Sequence, residues 1–175
     1  IHGISTQLAT EKGIPLGEVL EFFIEALSKS TCIVGQNLKF DTNVMGCEFH
    51  RYNVENNLQV LPVLDTCTET TAKLCMLPGG RGGKFKLPTL SELHLHLFQS
   101  EFKEAHNATA DVEATARCFV ELIRIGSFRK DQLLMDDAQY ADFFDKNKDT
   151  VQPVGIKHVN LSKESKKLKK QTTPS

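Results

Sequence analysis

At 175 residues the chain is long enough to bury one ordinary core, and its 40% hydrophobic and 25% charged residues are those of a globular domain. No apolar run approaches the roughly 20 residues that cross a bilayer, and five cysteines without a C-x-x-C pair exclude a disulfide framework or a cysteine-rich zinc site, so a cytoplasmic protein is expected. The net charge of −1 hides a division: six lysines against Glu164 fill Ile156–Ser175, leaving 15 basic and 21 acidic residues before it, a balance that excludes a simple nucleic-acid binder and suits carboxylates gathered around cations. A first residue of Ile1 reads as a processed product or a fragment with more chain upstream.

Ile1-His2-Gly3-Ile4 has the pattern of a strand end entering a turn, with a short helix from about Ser5. Pro15 and Gly17 open the next helix, whose apolar stripe is Leu16, Val19, Leu20, Phe23, Ile24 and Leu27. Thr31–Gly35 is a β-branched apolar run, hence a buried strand, and Gly35-Gln36-Asn37-Leu38-Lys39-Phe40-Asp41 follows it into a helix. On that helix Asp41 shares a face with Val44, Met45, Glu48 and Tyr52, a strange place for two carboxylates unless something compensates their burial. The bland alternative for Asp41 is an acid favoured by the helix dipole.

Val60–Thr66 predicts a second buried strand, and Thr66 or Thr68 starts a helix to about Met76. Leu77–Phe85 is glycine-rich but is no phosphate loop, because Pro78 stands where glycine is needed and Phe85 where Ser or Thr is needed. A mobile, cationic surface loop is expected at residues 79–83. Thr89 caps a further helix. His94 and His96 lie about 200° apart on it and cannot share an ion, so they are expected to be satisfied or exposed.

The densest chemistry lies in His106–Phe119. Asn107 is a candidate N-cap, and Val112, Ala116, Phe119, Val120 and Ile123 recur at helical spacing with Asp111 beside that face. A loop histidine and a carboxylate one turn inside the helix can converge before its N-terminus, as general-base or metal chemistry requires. A last helix is expected over Lys130–Asn147, and a disordered lysine-rich tail over 151–175.

Alternating strands and helices predict an α/β fold with a parallel pair. Gly35-x-Asn37-x-x-Phe40-Asp41 and His106-x-Ala108-x-x-Asp111-x-x-Ala114-Thr115, in this order, resemble the second and third motifs of the DEDDh 3′-to-5′ exonucleases, which include bacterial proofreading epsilon subunits and RNase T. Ile1–Ile4, Glu48, Asp65-Thr66 and Leu87-Pro88-x-Leu90-x-x-Leu93 agree with that family's layout, and the resemblance covers about residues 1–125. It implies an RNase H-like exonuclease fold with a central mixed sheet flanked by helices. The chain would supply the C-terminal part of the exonuclease domain over residues 1–150. The D-x-E motif and three antiparallel strands would lie before Ile1.

The resemblance further implies two Mg²⁺ or Mn²⁺ ions, with Asp111 on the ion that activates water, Asp41 on the second, and His106 as the general base. Gly35, Asn37 and His106 would touch the terminal nucleotide. The implied partner is the 3′ end of a single strand, DNA favoured, with a proofreading role beside a DNA polymerase subunit and a homodimer compatible with it. The alternative is a non-catalytic nucleic-acid-binding or adaptor module on the same fold.

Overall fold

Two short strands, β1 (Ile33–Gly35) and β2 (Val63–Asp65), pair in parallel with Ile33 opposite Val63, Val34 opposite Leu64 and Gly35 opposite Asp65. The computed structural model describes residues 4–102 and 107–147. Parallel strands need a crossover. It is provided by α3 (Leu38–Arg51), so β1, α3 and β2 form one βαβ unit. The expected mixed α/β class holds, but among the described residues the sheet has two strands and both run the same way.

Each strand is shorter than its apolar run. Val60 is 81% exposed, and the N–H groups of Val60 and Leu61 both turn back onto the Asn57 carbonyl, which makes this segment a turn. The ladder begins only where the Pro62 carbonyl accepts from the Ile33 N–H at 2.8 Å. Pro62 has no N–H to extend the pairing further.

The sheet is covered on both sides. Preceding it are α1 (Thr6–Lys12), capped by the Ser5 hydroxyl on the Leu8 N–H, and α2 (Leu16–Ser28). Ile33 packs with Leu20 and Leu27 of α2 and Phe49 of α3, whereas Cys32 and Val34 pack with Leu93, Cys118 and Leu122. That alternation is the period-2 rule of a strand buried on both faces. The second layer is built by α4 (Glu69–Cys75), α5 (Leu90–Phe98) and α6 (Ala108–Arg124), with α5 against α6 and α6 against β1. Thr68 and Thr71 form a capping box at α4, and Thr89 and Glu92 form one at α5.

The stripe expected on α6 holds in part. Val120 and Ile123 are buried as expected, but Val112 is 63% exposed, and the helix also buries Ala114, Cys118 and Leu122. Cys118 packs in the cluster that holds Leu64 and Val34 of the strands, Ala114 is buried, and the bulkier Val112 faces water.

The helix expected over Lys130–Asn147 is two: α7 (Lys130–Leu133) and α8 (Asp137–Asn147). Leu134 turns left-handed at φ 53°, which ends the first. Asp136 and Gln139 exchange side-chain and backbone bonds of 2.8 and 3.0 Å that start the second. The expected features at Ile1–Gly3, at His106 and in the lysine-rich tail lie outside the described residues. No described helix is long and apolar enough to cross a membrane.

Candidate functional site at the sheet end

The carboxyl ends of β1 and β2 meet in one hydrogen-bonded knot. Gly35 is buried, and its carbonyl accepts from the Thr66 N–H at 2.8 Å. A Cβ on Gly35 would sit 2.4 Å from a methyl of Leu38, so glycine here leaves room for the buried Leu38 side chain at the start of α3. Asn37 follows in the left-handed region at φ 60°, with its side chain exposed and making no cap bond. The cap comes from across the sheet. One Asp65 oxygen accepts from the N–H groups of Asn37 (2.8 Å) and Cys67 (2.7 Å), and the other from Leu38 (2.9 Å).

Thr66, fully buried, has one proton to donate. Its hydroxyl lies 3.1 Å from Gly35 O and closer to the Gln36 side-chain oxygen, while the Gln36 amide donates to Pro88 O at 2.8 Å. The β1–α3 turn is thereby tied to β2 on one side and to the approach to α5 on the other.

Asp41 lies in the first turn of α3, exposed, one helical turn beyond Asn37. The face it shares with Val44, Met45, Glu48 and Tyr52 is exposed at Asp41, Val44 and Tyr52, with Phe40 68% exposed beside it. Met45 packs on the core and the Glu48 side chain is only 20% exposed, so the expected burial is corrected for Asp41 alone; the fully buried residues of α3 are Leu38 and Phe49. Glu48 on that face is held by Arg51.

At α6 the cap is the expected one, since the Asn107 side chain accepts from the Thr109 N–H at 3.0 Å. Asp111 occupies the first turn and is partly buried. At 100° per residue it stands within about 20° of Cys118 and Leu122, so the core stripe of α6 ends in this carboxylate. That alignment is closer than the expected position beside the stripe. Because α6 packs on β1, and β1 leads through Gly35 and Asn37 into α3, one sheet connects the helix of Asp111 to the helix of Asp41. His106 lies outside the described residues. Among the described residues no group of three or more His, Cys, Asp or Glu side chains is placed to hold a metal ion.

His94 is neither exposed nor fully satisfied. It is 1% exposed, its Nδ1 donates to Ser100 O at 2.9 Å, and its Nε2 is buried with no hydrogen-bond partner among the described residues. Burial, above all, pushes its pKa down, with the Ser100 bond opposing and the Arg117 charge assisting. Phe98 and Phe102 flank the ring. His96 is partly exposed.

Asp65, Thr66 and Gln36 are not site candidates from sequence, because the bonds that join them to the β1–α3 turn and to Pro88 span 27 residues or more. Comparison of the chain with protein-family models, with curated proteins and with solved structures finds no match.

Proposed function

We propose that the chain is part of a metal-dependent 3′-to-5′ exonuclease domain of RNase H-like fold. It would hydrolyse phosphodiester bonds at the 3′ end of single-stranded nucleic acid, DNA favoured, and release nucleoside monophosphates in a proofreading role. The observation that carries this reading is the α6 stripe that ends in Asp111, on a helix packed against the strand whose far end delivers Asp41.

Asp111 and Asp41 would hold Mg²⁺ or Mn²⁺, for which hard carboxylate oxygens are the fitting donors. On the resemblance, two further carboxylates, a D-x-E pair, would complete the ligand set. Bound in pairs, such ions supply an activated water and neutralise charge on the attacking and leaving oxygens. His106, two residues before α6 in the sequence, would take the proton of the attacking water, a task that suits an imidazole. Asn37 and Gly35 would meet the terminal nucleotide, and Asp65 would act as a positioning residue by fixing the start of α3.

The test is degradation of 5′-labelled single-stranded DNA and RNA by the intact protein, with and without Mn²⁺. A ladder shortening from the 3′ end, with kcat lowered at least about 100-fold by His106→Ala, is the expected result. Unchanged turnover in that variant would remove His106 from the mechanism. Binding without hydrolysis by the intact protein would favour the non-catalytic module.

A further inference from the structure

The Gly79–Leu87 segment is folded onto α4 and is not an open loop. The Lys86 N–H donates to Leu77 O at 2.9 Å and the Lys84 N–H to Arg81 O at 3.3 Å, around a single 3₁₀ turn. Gly80 is locked in by close approach, since a Cβ there would lie 2.3 Å from the Lys84 carbonyl oxygen and 2.4 Å from that of Phe85. Between this loop and α4 lies a groove of about 770 Å³. Its lining includes Lys73, Arg81, Lys84 and Lys86 but a single carboxylate, Glu69. Apolar surface comes from Ala72, Phe85 and Leu87, and both Phe85 and Leu87 are exposed.

On a chain whose first 155 residues are net acidic, this groove reverses the sign locally. Lys84 is held by Glu69 at 2.6 Å and Lys86 by Glu92 at 2.6 Å, while Lys73 and Arg81 make no ion pair among the described residues. An exposed aromatic ring between two lysines, with Arg81 on the same loop and Lys73 on the opposite wall of the groove, is a combination that can hold a single strand: the ring stacks a base and the cations follow the phosphates. An acidic peptide would satisfy the cations but would leave the Phe85 face without a planar partner.

We infer that the groove between α4 and the Gly79–Leu87 loop is a second contact for single-stranded nucleic acid, in which Phe85 stacks a base while Arg81, Lys73 and Lys84 hold the backbone. The inference rests on the nucleic-acid reading above and adds a hold on the strand away from the bond that is cut. Glu69 is the groove's own competitor: an arriving phosphate must displace it from Lys84.

The experiment is fluorescence anisotropy of a labelled oligothymidylate of about 12 nucleotides, in EDTA so that nothing is hydrolysed, with the full chain and its variants. The lysine tail adds the same background to each. Phe85→Ala should weaken binding roughly 5- to 100-fold, the range for one lost stacking partner. The Lys73→Ala, Arg81→Ala double variant should flatten the salt dependence by about 1.4 in log–log slope. Glu69→Gln should tighten binding about two- to fivefold at low salt, a gain that misfolding cannot mimic.

The inference is overturned if Phe85→Ala binds as the unaltered chain does, or if an oligoglutamate competes as well as the oligonucleotide. Its failure and that of the nuclease reading are separable. Groove binding in EDTA with no metal-dependent degradation by the intact protein sinks only the nuclease. Degradation with unaltered affinity in the Phe85 variant sinks only the groove.

Discussion

Asp65 makes the bond set on which the start of α3 depends, and replacing it tests whether that helix is anchored from across the sheet. Asp65→Ala frees three N–H groups, those of Asn37, Leu38 and Cys67. At about 1 kcal/mol each, and less at exposed Asn37 where water can take over, the loss should be about 2–3 kcal/mol. Asp65→Asn is the sharper variant. Its amide oxygen can serve the two N–H groups that share one Asp65 oxygen, but its NH₂ would then face the Leu38 N–H, donor against donor. A loss of about 1–2 kcal/mol is therefore expected, between the unaltered chain and Ala. Urea titration followed by circular dichroism reads the difference as a midpoint shift at constant slope. No loss from either variant would mean that α3 is held by its packing alone, and a loss in Asn as large as in Ala would mean that the carboxylate charge, not the count of acceptors, anchors it.

Two further outcomes follow from buried groups. His94 is pushed below its ordinary pKa mainly by burial, so the fold favours the neutral ring. Its contribution is present above the unfolded value near 6.5 and is lost as pH falls through that value toward the folded one. Stability curves of the unaltered chain and His94→Phe, measured from about pH 7.5 to 5, should diverge below about pH 6.5, and parallel curves would contradict the assignment. The Cys118 thiol is pushed up to about 12, chiefly by burial, and is fully enclosed, whereas Cys47 is exposed. Iodoacetamide at about pH 8 should modify Cys47 in the native chain and Cys118 only after urea is added, as peptide mass spectrometry will show. Comparable native rates at the two sites would mean that α6 opens readily.

What could be read in the sequence was what local chemistry decides. Thr89 with Glu92, and Asn107 before its helix, announce helix starts because cap and partner lie within three residues. The strands were overextended because pairing, not β-branching, sets their length, and the partner of Ile33 lies 30 residues away at Val63. Val120 and Ile123 were read correctly on α6, but its first turns were misjudged because Val112 outweighs Ala114 and Cys118 on any hydrophobic count. Asp65 was invisible as a cap for a similar reason: nothing within three residues of Asn37 announces an acceptor 28 positions along the chain.

That long-range cap bears on what Asp41 is for. An acid in the first turn of a helix is ordinarily explained by the dipole and the free N–H groups there. At α3 those tasks fall to Asp65, whose two oxygens hold the N–H groups of Asn37 and Leu38. An exposed carboxylate one turn further on, beside the exposed ring of Phe40, has little stabilising work left. Asp41→Asn should therefore change stability by no more than about 0.5 kcal/mol, the low end of a screened dipole effect. In the intact protein the same substitution should lower metal-dependent 3′-end hydrolysis by about 100-fold or more, the scale of a lost ligand-shell group. A variant with weakened stability and unaltered turnover would return Asp41 to the helix dipole and take one of the two proposed cation ligands away.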